Sequence, residues 1–72
     1  MSEFKEIKKW IQDNNYRGLI QGLHIKVKLS RPTISKVLDP DKNIITKNTK
    51  RVLKAALNLI EENTDKQHDF KV

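Results

Sequence analysis

The chain has 72 residues and no cysteine, and its 15 lysines and arginines outnumber 9 aspartates and glutamates, giving a formal net charge of +6. A chain of this length forms one small domain with a limited core, and disulfides cannot stabilise it. No signal peptide or membrane-length apolar run is evident, which predicts a cytoplasmic protein with no membrane partner. Two glycines and two prolines are too few for a turn-rich fold, so the expected class is all-α.

The first predicted helix covers about Glu3–Asn14, with Ser2 as its N-cap and acidic residues in its first turn, where the helix dipole favours them. Its apolar residues recur at helical spacing. They are Phe4, Ile7 and Ile11. Trp10 lies beside this stripe, and its expected role is core packing with the indole N–H turned to a partner or to water, not base stacking.

The stretch Ile20–Leu38, IQGLHIKVKLSRPTISKVL, predicts two short helices joined by a sharp turn. The second begins at Ser30, a favourable N-cap, and Pro32 falls in the first turn, where its missing N–H costs nothing. This second helix has one apolar stripe and one polar face that carries donors and no carboxylate. The stripe is Ile34, Val37 and Leu38, and the polar face is Arg31, Pro32, Thr33, Ser35 and Lys36.

An alternative stands for Leu23–Leu29, because LHIKVKL alternates apolar and cationic residues with the period of a half-buried strand. A lone strand would lack a partner for its backbone groups, since no other segment alternates convincingly. A helix is therefore favoured, and it leaves Ile25 facing solvent. The helical stripe is Leu19, Ile20, Leu23 and Val27.

After these two helices, Asp39–Asn43 predicts a turn because Pro40 disfavours helix at the residue before it. Thr46 is the predicted N-cap of the last helix. The apolar stripe of that helix is Val52, Leu53, Ala56, Leu57 and Ile60. The domain is expected to cover residues 1–62, and residues 63–72 are expected to form a polar, frayed tail in which Phe70 is the residue suited to docking.

Five apolar residues match the positions of the bacterial helix-turn-helix motif: Leu23, Val27, Leu29, Ile34 and Val37. LSRPTISKVL resembles the recognition-helix segment of lac-repressor-type headpieces, and TKNTKRVLKAALNLI is similar to their next helix and to the fourth helix of phage repressor and Cro-like domains. The resemblance covers Ile20–Ile60. It implies a compact bundle of four or five helices, a repressor-like DNA-binding domain, in the bacterial cytoplasm or nucleoid. Two residues depart from it: His24 replaces a small residue packed between the helices, and Lys28 replaces the turn glycine.

The positive charge is concentrated in the same part of the chain. Residues 17–54 contain ten cations and two carboxylates, a net charge of +8, whereas residues 1–16 are neutral and residues 55–72 carry −2. Lysines that merely solvate helix surfaces do not explain this segregation, but an anionic DNA partner does. Base reading is predicted for Arg31, Pro32 and Lys36. Contacts to the DNA backbone are predicted for Gln21, Ser30, Thr33, Ser35, Lys47 and Asn48, which lie near helix starts.

Together these features predict a sequence-specific regulator of transcription, repressor-like and of the phage or mobile-element type, that reads the major groove of double-stranded DNA with the helix starting near Ser30. A homodimer is expected because one motif makes few base contacts, and the candidate dimer residues are Leu59 with Phe70 and the tail, then Ile25. The alternative is a helical protein-interaction module, such as an antitoxin or an assembly partner. No catalytic, metal-binding or phosphate-loop motif is evident, so no enzyme activity, cofactor, metal or small-molecule ligand is expected.

Overall fold

The computed structural model describes residues 3–42 and 46–70, and this part of the chain contains four α-helices and no strand. The helices are α1 (Glu3–Asn14), α2 (Leu19–Val27), α3 (Arg31–Leu38) and α4 (Thr49–Thr64). The all-α prediction is confirmed, the strand alternative for the α2 segment is wrong, and α1 has the predicted bounds. None of these four helices combines the length and the apolar character needed to cross a membrane.

Helix α4 is central to the core, because it packs against α1, α2 and α3. The apolar stripes predicted for α3 and α4 are buried, and those predicted for α1 and α2 are buried except at Phe4 and Ile20, which are half-buried at the core edge. Ile25 is 65% exposed, as the helical prediction requires. The buried apolar side chains are Ile7, Ile11, Leu19, Leu23, Val27, Ile34, Val37, Leu38, Val52, Leu53, Ala55, Ala56, Leu57 and Ile60.

Both glycines have identifiable roles in placing α2. Gly18 precedes the helix with φ +97°, a conformation that residues with a Cβ rarely adopt. Gly22 faces α4, where a Cβ would lie 3.3 Å from Leu59 Cδ1. The absence of a side chain at Gly22 therefore lets α2 approach α4 closely, and Leu59 is half-buried by this contact instead of lying free on the outside of α4.

The turn between α2 and α3 consists of three residues and begins with a left-handed step. Lys28 has φ +59° and ψ +38°, and its N–H donates to the His24 carbonyl at 3.1 Å. His24 Nδ1 donates to the Leu29 carbonyl at 2.7 Å, and Leu29 itself packs against the core. The imidazole is exposed and does not lie between the helices. Lys28 thus takes the conformation for which glycine is preferred, and His24 fastens the turn from outside.

This left-handed step predicts that Lys28→Gly will raise the free energy of unfolding by about 0.5–1 kcal/mol, because a Cβ is strained at positive φ and glycine is not. Urea unfolding followed by circular dichroism measures the change. Lys26→Gly removes the same charge at an exposed site inside α2 and should instead lower the stability by about 0.5–1 kcal/mol. Two variants that are equally destabilised would contradict the strain argument.

The helix starts differ in detail from the predictions. Ser30 is the N-cap of α3, but its hydroxyl shares a hydrogen bond with the Thr33 hydroxyl at 2.7 Å and caps no backbone N–H. Helix α4 begins at Thr49 with Asn48 as N-cap, later than predicted, but the Thr46 hydroxyl does accept a hydrogen bond from the backbone N–H of Asn48 at 3.2 Å. The two threonines are also joined by Thr46 N–H donating to Thr49 Oγ1 at 2.8 Å, which forms a turn ahead of the helix. The predicted N-cap Ser2 lies outside the described residues.

Lys8 is a buried cation in α1. Its side chain is only 1% exposed, and Nζ donates to the Lys42 carbonyl at 3.1 Å. Lys42 ends the turn after α3, where the Asp41 N–H donates to Asp39 Oδ1 at 2.9 Å, confirming the predicted turn as far as residue 42. The Lys8 side chain of α1 therefore anchors the start of the connection between α3 and α4.

The C-terminal segment, predicted as a polar tail in which Phe70 is suited to docking, packs on α1 as far as residue 70. Helix α4 continues to Thr64, and residues 65–70 return toward α1. His68 Nε2 lies 3.1 Å from Glu61 Oε1, and the His68 ring stacks on Phe70 at 5.9 Å between centroids. Both rings meet Trp10 edge to face, at 5.8 and 6.2 Å. Trp10 is therefore a packing residue, as predicted, and Phe70 is half-buried within its own chain.

A second polar contact holds the same, C-terminal end of α4. Asn63 Nδ2 donates to the Tyr16 hydroxyl at 3.1 Å, which joins the loop before α2 to the last turn of α4. Desolvation by partial burial, and then the negative charge of Glu62, raise the pKa of Tyr16 above its ordinary value. The phenol therefore stays protonated and neutral here over the physiological range.

Candidate nucleic-acid interface

Helix α3 divides into a buried side and an exposed side. Ile34, Val37 and Leu38 are buried against the other helices. The exposed side carries every residue of the predicted polar face: Arg31, Pro32, Thr33, Ser35 and Lys36. This side therefore presents a guanidinium, an ammonium and two hydroxyls to solvent, without a carboxylate of its own.

The N-terminal ends of α2 and α3 meet at this surface. Arg31 Nη2 donates to Gln21 Oε1, which joins the first turn of α3 to the first half of α2. Ser30 and Thr33 are paired through their hydroxyls beside it. Four predicted contact residues are thus brought together in two pairs. The Gln21 contact also restrains the long Arg31 side chain, which reduces the conformational entropy that it can lose on binding a partner.

Three helix starts carry no acidic residue of their own. No side chain caps the first turn of α2, α3 or α4, and none of these first turns contains an acidic residue. The Leu19 and Thr49 N–H groups donate to the Tyr16 and Thr46 carbonyls, and the remaining first-turn N–H groups, with the positive end of each helix dipole, are where an external anion would bind. The predicted backbone contacts other than Ser35 are located at or next to these starts, so their surroundings suit phosphate.

Three of the predicted backbone contacts have less favourable positions. Ser35 and Gln21 line an open groove of about 580 Å³ between α1, α2 and α3, and Asp39 and Asp41 line the same groove. Those carboxylates repel phosphate from the Ser35 side. Asn48 is only half-exposed, because it forms the N-cap residue of α4. Ser35 is consequently the weakest candidate of the set.

Lys47 lies in the turn before α4 and is exposed, as a backbone contact requires. Hydrogen bonds join the contacts of α2 to those of α3, as between Gln21 and Arg31, and no such bond joins Lys47 or Asn48 to them among the described residues.

The basic segment is not neutralised from within. In residues 3–42 and 46–70, the one contact within 4 Å between a basic and an acidic side chain joins His68 to Glu61, outside the basic segment. The exposed cations of that segment therefore have no carboxylate within 4 Å among the described residues. They are Arg17, Lys26, Lys28, Arg31, Lys36, Lys42, Lys47, Lys50, Arg51 and Lys54. Their combined field extends into solvent and attracts polyanions.

Three of the cations to which the sequence analysis gave no individual role meet at one groove. Lys26, Arg51 and Lys54 surround a shallow groove of about 240 Å³ between α2 and α4, with Val27 and Ala55 at its base. Arg51 and Lys54 are three residues apart and therefore share a face of α4. Their meeting with Lys26 depends on how α2 packs on α4, which the spacing alone does not reveal.

Comparisons of the chain with protein-family models, with curated proteins and with solved structures gave no match. The functional interpretation therefore depends on the arrangement of the chain's own residues.

Proposed function

We propose that the protein is a sequence-specific, double-stranded DNA-binding regulator of transcription, of the repressor-like helix-turn-helix type, that reads the major groove with α3. The observation that carries this proposal is the exposed face of α3. Its Arg31 forms a hydrogen bond with Gln21 of α2, and neither helix start has a side-chain cap. An α-helix fits the major groove, where base edges present acceptors to such donors. The left-handed step at Lys28 and the buried Ile34 suit the same motif.

The exposed groups have separable roles in this proposal. The Arg31 guanidinium is suited to paired hydrogen bonds with guanine O6 and N7, and the Pro32 ring to contact with a thymine methyl. Lys36 lies about one turn further along α3, where its ammonium reaches a second base edge. Gln21, Ser30 and Thr33, with Lys47 and Asn48 before α4, bind phosphate and set the register without specifying sequence.

The decisive experiment selects bound sequences from a pool of random duplexes. We expect a defined consensus, and an affinity that falls steeply as salt rises, because the cations displace counterions from DNA. Recovery of random sequences at every round would reject specific DNA reading.

Lys47 provides a test of backbone contact. Lys47→Ala should weaken binding to specific and unrelated duplexes by similar factors, and should make the slope of log affinity against log salt shallower by about one unit. Titrations at four salt concentrations measure both. Lys5→Ala removes the same charge from an exposed position on α1 and should leave the slope nearly unchanged. A loss confined to the specific duplex would mean that Lys47 reads bases.

A protein-interaction module is the second candidate, and the exposure of Ile25 favours it. This side chain is 65% exposed, and among the described residues it is the one large apolar side chain that is exposed. Binding to a protein partner through such a residue would be insensitive to salt, and it would be lost in Ile25→Ala. DNA binding through the α3 face should instead weaken as salt rises, and it should persist in Ile25→Ala.

A further inference from the structure

The exposed side of α4 carries charges of opposite sign in its two halves. Four exposed residues of α4 follow one another along this side at spacings of three or four, and the exposed C-cap residue Asp65, three positions further on, extends the stripe past the end of the helix. The stripe is Arg51, Lys54, Asn58, Glu62 and Asp65. The first two are cationic, the last two are anionic, and Asn58 lies between them.

This stripe is complementary to itself in the antiparallel direction. When two α4 helices are aligned in opposite directions with Asn58 at the centre, Lys54 lies opposite Glu62, and Arg51 lies opposite Asp65. A twofold axis repeats each pair, because in such an interface residue i contacts j and j contacts i. A parallel alignment would place each charge opposite its own copy, which is repulsive.

The groove beside the stripe adds a receiving site for the acidic half. Lys26 of α2 joins the two cations of α4 at this groove, and Val27 and Ala55 form its apolar base. A carboxylate that enters the groove meets three cations, none of which has a carboxylate partner within 4 Å among the described residues. Ile25, the residue before Lys26, is apolar and exposed.

We propose that the stripe of α4 is the interface with a second copy of this chain, paired antiparallel about Asn58, with Glu62 of each copy at the groove of the other. A dimer of this kind provides a second copy of α3 to read the second half-site of an operator, so this inference rests on the proposed function. It replaces the surface expected from sequence, because Leu59 and Phe70 are half-buried within their own chain.

The position of α2 makes this pairing compatible with reading DNA. Helix α2 packs beside the stripe, through Gly22 against Leu59 and along the groove. A twofold axis that relates two α4 helices side by side therefore leaves both α2 helices, and the α3 starts joined to them, on one side of the pair. Each protomer measures 29 × 26 × 18 Å, so two in contact can occupy half-sites about 34 Å apart.

The interface consists mainly of exposed charges, which are screened by salt. We therefore expect weak self-association in solution and cooperative pairing on DNA, where adjacent half-sites raise the effective concentration of the two copies. Low salt should strengthen the pairing of protein alone.

A charge-swap experiment tests the pairing without DNA. One variant, Arg51→Glu with Lys54→Glu, makes the stripe acidic, and the other, Glu62→Lys with Asp65→Lys, makes it basic. Sedimentation equilibrium at low salt should show that each variant self-associates about tenfold or more weakly than the natural chain, because like charges then face each other. An equimolar mixture of the two should associate again, since opposite charges face each other in the mixed pair.

Lys5→Glu with Lys9→Glu is the matched control, because it changes the net charge by the same amount on the exposed side of α1. It should leave self-association unchanged, and circular dichroism should show that all variants are folded. A mixture that associates no better than either variant alone would overturn the proposal. A control variant that loses association as strongly as the stripe variants would do the same.

Duplexes with one half-site or two separate this proposal from the function itself. The Glu62→Lys, Asp65→Lys variant should keep selective binding to one half-site and lose cooperativity on two. Retained cooperativity in this variant would refute the α4 interface while leaving DNA reading intact. Charge-swap rescue without any selective DNA binding would support the interface and refute the proposed function.

Discussion

Replacing Ile34 with alanine should lower the free energy of unfolding by about 3 kcal/mol, within the usual range of about 2–5 kcal/mol for a fully buried isoleucine or leucine. Ile34 is 0% exposed and is the residue through which the first half of α3 enters the core. Truncation removes apolar contacts and leaves a cavity that the surrounding helices fill only in part. Because small domains have total stabilities of about 5 kcal/mol at the low end, this variant should be close to unfolding at room temperature.

Urea titration followed by circular dichroism measures this change, and Ile25→Ala is the control. It makes the same chemical substitution at a side chain that is 65% exposed, so its effect should stay within about 0.5 kcal/mol. Equal losses at the two positions would mean that α3 does not pack as described.

Arg31→Ala should reduce binding to the preferred duplex by about 1–3 kcal/mol and relax selection at one base pair. The reason is that a guanidinium can form two parallel hydrogen bonds to one guanine, and no other side chain on α3 has that fork. In the free protein Arg31 already contacts Gln21, so little ordering remains to be done on binding. Selection from random duplexes, repeated with the variant, measures both the affinity and the consensus.

Arg31→Lys separates charge from geometry, because it keeps the cation and loses the planar fork. It should retain most of the binding to unrelated duplexes and lose the same selectivity as the alanine variant. A consensus that is unchanged in both variants would assign base reading to other residues.

Much of the fold is predictable from the spacing of apolar residues alone. The stripes of α3 and α4 identified the buried sides of both helices, and the predicted strand alternative failed because nothing in the described chain pairs with it. The exposed face of α3 follows from the same spacing, since each side of a helix repeats every three or four residues. Exposure of Arg31 and Lys36 was therefore foreseeable from sequence.

Contacts between distant residues were not foreseeable in the same way. Neighbouring hydroxyls compete for the same hydrogen-bond partners at a helix start, and sequence does not show which of them succeeds. The Ser30 hydroxyl therefore pairs with Thr33, and α4 begins three residues after Thr46. The groove at Lys26 and the approach of Gly22 to Leu59 both require the packing of α2 on α4. Lys8 had a weak signal, because its spacing of four from Phe4 and three from Ile11 places it on the apolar stripe.

The buried Lys8 has a consequence for how the domain opens. If the turn at Lys42 detached while α1 stayed in place, the Lys8 ammonium would lose the carbonyl that accepts its hydrogen bond, and a cation without that acceptor is costly in a buried position. Detachment of the turn is therefore coupled to displacement of α1. In the language of hydrogen exchange, the first helix and the segment that follows α3 belong to one cooperative unit, although 34 positions separate the two bonded residues in sequence.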